Sequence, residues 1–210
     1  MAEVYTERST FLTKWLWILF WLVIPSFIAE SMSTFGLKSD SNTIHMVGAI
    51  MSALTSATYG AILLRISSVE EKYRPAGICT LAIVGISVLD IILNALNLPE
   101  VERFSLALAV PIIILGLYST YKEFYAHAAV LIGIDFNLSE KWERLWKWRI
   151  RILIVTVVSF LLLFLSVLLG LVLIFSCAIA ALVLSILKLV YLYSTAERLS
   201  IYKKTHSNNQ

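Results

Sequence analysis

Apolar runs of about 20 residues, the length that carries an α-helix across a bilayer core, recur down the whole chain. Of its 210 residues, 59% are hydrophobic, against roughly 45–50% in soluble domains. Hydrocarbon offers no water to the backbone, so only helices and closed barrels cross it. The runs are continuous rather than alternating, which selects helices. The expected fold is therefore all-α, a single integral membrane domain over residues 1–210, built as a bundle of six transmembrane helices.

The spans are expected at about 12–29, 44–64, 76–97, 104–121, 150–170 and 174–194. A signal-peptide reading of the first run is set aside, because its lead carries Glu3 and Glu7 and the run itself holds Trp15, Trp17 and Trp21. A polar loop is expected over Glu30–Thr43, and Leu98-Pro99-Glu100 marks a turn. The stretch Ile150–Tyr193 is almost wholly apolar; past Arg151 at its edge, Lys188 is the only charge. As one helix it would run about 65 Å, twice a bilayer core. It must fold back, and Gly170 places that turn near 169–176.

The fourth helix is not expected to stop at the membrane. Beyond Tyr121, apolar residues recur among charges at helical spacing, and Gly133 to Phe136 marks a break. Asn137 with Glu140 three residues on has capping-box spacing. Trp142, Leu145 and Trp146 form a stripe on the following helix. Residues 122–149 are thus expected as a cytoplasmic helical hairpin.

Six spans divide the 17 Lys and Arg sharply, with only Lys38 and Arg103 on one side. Positive charge stays cytoplasmic, so both termini are expected inside, in a plasma (inner) membrane. The net charge of +3 and pI near 8.8 are no argument for nucleic acid. The bilayer is the partner that composition demands.

The second helix carries a ladder of small residues, Gly48, Ser52, Ser56 and Gly60, with Ala49, Ala53, Ala57 and Ala61 beside it. Residues four apart stack on one helix face, and small faces let membrane helices approach closely. This marks the second helix as the packing centre.

Asp90 is the one acid well inside an apolar run, with Asn94 and Asn97 on its face. It lies about 10 Å below the outer surface. At the same depth fall Ser52 on the second helix and the prolines Pro25 and Pro111, each of which frees a carbonyl four residues back. His45 and Glu30 lie just above. Together these residues describe either a ligand or ion pocket in the outer half or polar glue between helices. Lys188 is too far in depth to reach Asp90 and is expected to snorkel toward the interface.

No HExxH, GxSxG or Walker loop is present, the two cysteines form no CxxC, and the three His fall at different levels, so no metal or other cofactor is implied. The first functional reading is a non-catalytic interaction, accessory or regulatory membrane protein, with a protein partner at the hairpin 122–149 or a second copy of the chain. A small transporter or channel with a pocket around Asp90 stands second. A lipid-active membrane enzyme using Glu30, His45 and Asp90 stands third.

Overall fold

The computed structural model describes residues 2–39, 41–96 and 101–207. Within them are six helices: α1 (Ala2–Lys38), α2 (Asn42–Ile66), α3 (Tyr73–Ala95), α4 (Val101–Leu131), α5 (Phe136–Leu162) and α6 (Val167–Ser207). Each packs on its neighbour in the chain, and α6 packs back on α1, so the six form a closed up-and-down ring. Five of them, all but α5, are long and apolar enough to cross a membrane. In α5, Lys147, Arg149 and Arg151 break into the apolar stretch.

The ring has two unlike ends. The terminal end carries both chain ends and the α2–α3 and α4–α5 turns; the far end carries the α1–α2 and α5–α6 turns. The packed core lies toward the terminal end, where every helix contributes at least one buried side chain: Leu16, Leu63, Tyr73, Phe124, Trp142 and Leu192. Toward the far end the outward surface is apolar and exposed on every helix, as at Phe27, Leu54, Val88, Ile113, Phe160 and Phe175. Large exposed apolar side chains in such number call for lipid as the solvent.

Four sequence expectations are corrected. The loop expected over Glu30–Thr43 is mostly helix, and α1 runs through to Lys38. Nothing in that stretch breaks a helix, and the hydroxyls of Thr34 and Ser39 bond back to the carbonyls of Glu30 and Phe35. The turn expected at 169–176 lies at 163–166, and α6 passes through Gly170 unbroken. Gly170 instead lets the helix pack against the turn, since a Cβ there would meet Leu163 at 2.6 Å. The cap of α5 is Asp135, not Asn137: its carboxylate accepts from the Leu138 amide at 3.0 Å. Gly133, at φ 87, reverses the chain just before it.

Finally, the arms of 122–149 do not stand clear of the bundle. Tyr73 of α3 reaches His127, and Trp142 of α5 donates to Thr195 of α6 at 3.0 Å. A cavity joins Gly133 of the α4–α5 turn to Val69 of the α2–α3 turn, so the two turns lie level. The hairpin turn expected near 133–138 is present at 132–135, but both arms are members of the ring. The turn expected at Leu98-Pro99-Glu100 lies outside the described residues.

Candidate functional site

Two polar layers share the inside of the ring. The upper one, toward the far end, is a cavity of about 370 Å³ enclosed mainly by α1, α2 and α3. Its wall includes Glu30 and Ser33 of α1, His45, Ser52 and Ser56 of α2, and Ser87 and Asp90 of α3. Four of the six expected pocket residues, Glu30, His45, Ser52 and Asp90, therefore line one space. Asn97 and the side chain of Asn94 lie outside the described residues. Pro25 and Pro111 are within helices, and neither is among the lining residues; Ile112 is.

The small residues of α2 explain why a space exists. Toward the far end, α2 leans on α1: a Cβ on Gly48 would collide with the Ser33 backbone, and one on Gly36 with the His45 backbone. Toward the terminal end α2 leans on α3, where a Cβ on Gly60 would meet Leu81 at 3.0 Å and one on Gly77 would meet Leu64 at 2.8 Å. So α2 crosses from one neighbour to the other. The cavity opens between Ser52 and Ser56 of α2 and Val84 and Ser87 of α3, while Gly85 of α3, on the exposed side, has nothing within 4 Å of its missing Cβ. The expected ladder is therefore split. Gly48 and Gly60 pack on different helices, while Ser52 and Ser56 between them face the cavity.

Within the wall, His45 Nδ1 lies 3.1 Å from Ser33 Oγ and 3.2 Å from the Ser33 carbonyl, tying α2 to α1. Ser105 Oγ of α4 donates to Asp90 Oδ1 at 2.5 Å. Asp90 thus has a helix-joining bond and also fronts the cavity. Among the described lining residues are two carboxylates and no Lys or Arg. That charge pattern suits a cation.

The lower layer was not anticipated as a cluster. Glu123 of α4 is 4% exposed. Its Oε1 accepts from Tyr59 Oη of α2 at 2.5 Å and from Lys188 Nζ of α6 at 2.8 Å. His127, one turn along α4, holds Nε2 3.5 Å from the same oxygen. Its Nδ1 lies 2.7 Å from Tyr73 Oη of α3. The imidazole stacks on Trp142 of α5, with ring centres 4.5 Å apart. The Lys188 ammonium also lies over the rings of Tyr59 and Phe124. Five helices are thereby tied at one level by a carboxylate, an ammonium and an imidazole.

Lys188 is therefore an ion-pair partner held inward, against the expectation that it snorkels free; as expected, it does not reach Asp90. The signal for the pair was in the chain. Lys188 is a lone cation in an apolar run, and Glu123 and His127 share one face of α4. Tyr59 follows Ser56 by about one turn of α2, so the ion-pair layer lies next to the cavity on its terminal side.

No family model matches the chain, and no curated protein or solved structure is found to be similar to it. The described residues define a bundle of helices, five of them of membrane-spanning length and composition.

Proposed function

We propose that the chain is a six-span membrane protein with both termini cytoplasmic, and that it acts as a small transporter or channel binding a cation or small amine beside Asp90. The observation that carries this is the 370 Å³ cavity with Glu30, Asp90, His45 and serine hydroxyls on its wall. A pocket with several convergent polar groups is the ordinary form of a small-ligand site. An acid inside a membrane bundle marks an ion or substrate path by default.

In this topology the cavity lies in the outer half, and the Glu123–Lys188 layer closes the ring on the cytoplasmic side. The sixth crossing is α5, whose apolar part is supplied by 152–162 and whose basic part stands at the inner interface. Positive charge at Arg65, Lys72 and Arg74 around the α2–α3 turn and along the first half of α5 supports the orientation. The interaction reading stands second, because the stripe of the hairpin is used inside the ring and offers a partner no apolar face: Trp142 is fully buried and Leu145 is 3% exposed.

The test is ligand-induced stabilisation of the purified full chain. Sodium, potassium and methylammonium are titrated at constant ionic strength while thermal unfolding is followed. One of them is expected to stabilise saturably, and Asp90→Asn to weaken that binding by about tenfold or more, the worth of a charge-assisted bond. Absence of saturable stabilisation by all three, or the same affinity in Asp90→Asn, would overturn the assignment.

A further inference from the structure

Of the basic side chains of α5, Arg144 has an acidic partner, its Nη2 lying 2.6 Å from Glu140, and Lys141 shares a surface hollow with Asp135 and Glu197. Lys147, Arg149 and Arg151 make no ion pair among the described residues. All three are exposed. Yet they stand beside apolar surface. Leu153 and Ile154 follow on α5, and Ile186 and Val190 are exposed on α6. A cation in that setting is costly unless water or an anion reaches it.

A cavity of about 190 Å³ opens beside Arg149 of α5 and Leu184 and Leu189 of α6, and reaches inward to Val23 of α1, Tyr59 of α2 and Phe124 of α4. Its cations are Arg149 and Lys188. Glu123 already balances Lys188, so the uncompensated charge is that of Arg149, with Lys147 and Arg151 nearby along the helix. Arg151 lies over the Trp148 ring at 5.0 Å, and that indole is 54% exposed. Aromatic side chains of this kind sit at the headgroup level.

We propose that the α5–α6 edge binds one anionic glycerophospholipid, its phosphate on Arg149 and the upper part of an acyl chain in the aliphatic cavity. Both halves of such a ligand have a counterpart here. The headgroup meets unpaired cations, and the chain meets the leucines of the cavity wall. Free phosphate satisfies the first condition only. Basic pockets between membrane helices on the cytoplasmic side are suited to anionic headgroups. Only the choice of leaflet depends on the proposed topology, and cation binding at Asp90 is not required.

The experiment is native mass spectrometry of the full chain released from nanodiscs of mixed phosphatidylcholine and phosphatidylglycerol. The wild type is expected to retain one phosphatidylglycerol, enriched by about fivefold or more over its share of the disc, as one interfacial cation implies. Arg149→Gln should abolish the enrichment and Arg149→Lys should largely keep it. Lys204→Gln, in the basic tail, should change nothing, and inorganic phosphate should not displace the lipid. Ser185→Phe, at an exposed position on the cavity wall, gives a second variant should Arg149→Gln fail to fold; it fills the space meant for the acyl chain and should lower the enrichment by a similar factor. Retention in proportion to the disc, displacement by inorganic phosphate, or enrichment unchanged in folded variants at both 149 and 185 would overturn the proposal.

Discussion

Replacing Lys188 by Met leaves the Glu123 carboxylate buried with Tyr59 as its remaining close donor, because His127 Nε2 is 3.5 Å away. Removing one partner of a buried pair costs about 3–5 kcal/mol, since the other charge stays desolvated. The Lys188 side chain is 29% exposed and Glu123 only 5%, so the lower end, about 3 kcal/mol, applies. For a chain of this size that is a fall in unfolding temperature on the order of 6–12 °C. Adding Glu123→Gln removes the stranded charge while the amide oxygen still accepts from Tyr59. The double variant should recover to within about 1 kcal/mol of wild type. The measurement is thermal unfolding of the two single variants and the double in detergent, followed by tryptophan fluorescence. A Lys188→Met protein as stable as wild type, or a double variant less stable than that single, would refute the idea that the ion pair is a coupled, buried unit.

Tyr59→Phe removes a donor to a charged oxygen and should cost about 1.5–3 kcal/mol in the same assay. Gly48→Ala should destabilise by about 1–3 kcal/mol because the new methyl meets the Ser33 backbone, whereas Gly85→Ala, with open space at its Cβ, should be neutral or stabilise by up to about 1 kcal/mol. If both were equally harmful, α2 would not cross from α1 to α3 as described. In a variant with Cys79 and Cys177 replaced by Ala, Ser39→Cys should react with an impermeant thiol reagent on intact cells. Ile132→Cys and Thr205→Cys should react only after lysis, and labelling of Ile132 and Thr205 from opposite sides would break the topology.

How much of the site was legible depends on the kind of reasoning each part needed. Helices crossing one slab share a common rise, so counting residues from the outer surface was enough to bring Glu30, His45, Ser52 and Asp90 to one space. The same count from the inner surface puts Lys188 near Glu123, but Glu123 was read as part of a protruding hairpin and drew no depth. What the hairpin reading missed is its other neighbours, because an apolar stripe such as Trp142–Leu145 says that a face is buried, not which helix buries it. The cavity itself was invisible as well. A ladder of small residues announces close packing, and only the alternate use of Gly48 and Gly60 on two neighbours makes it a wedge.

By itself the sequence determined that the chain is helical, that most of its helices are apolar enough for lipid, and roughly where they lie. These follow from local terms: apolar length, backbone hydrogen bonding without water, and the break at Gly133. The tertiary structure decided that α6 returns to α1 and closes a ring. That closure brings Lys188 to Glu123 across more than sixty residues of chain, and it leaves the far half of the bundle open. Ring closure is a sum of weak packing contacts between segments remote in sequence. Periodicity and composition report the face each helix must bury, and they are silent on the partner it finds.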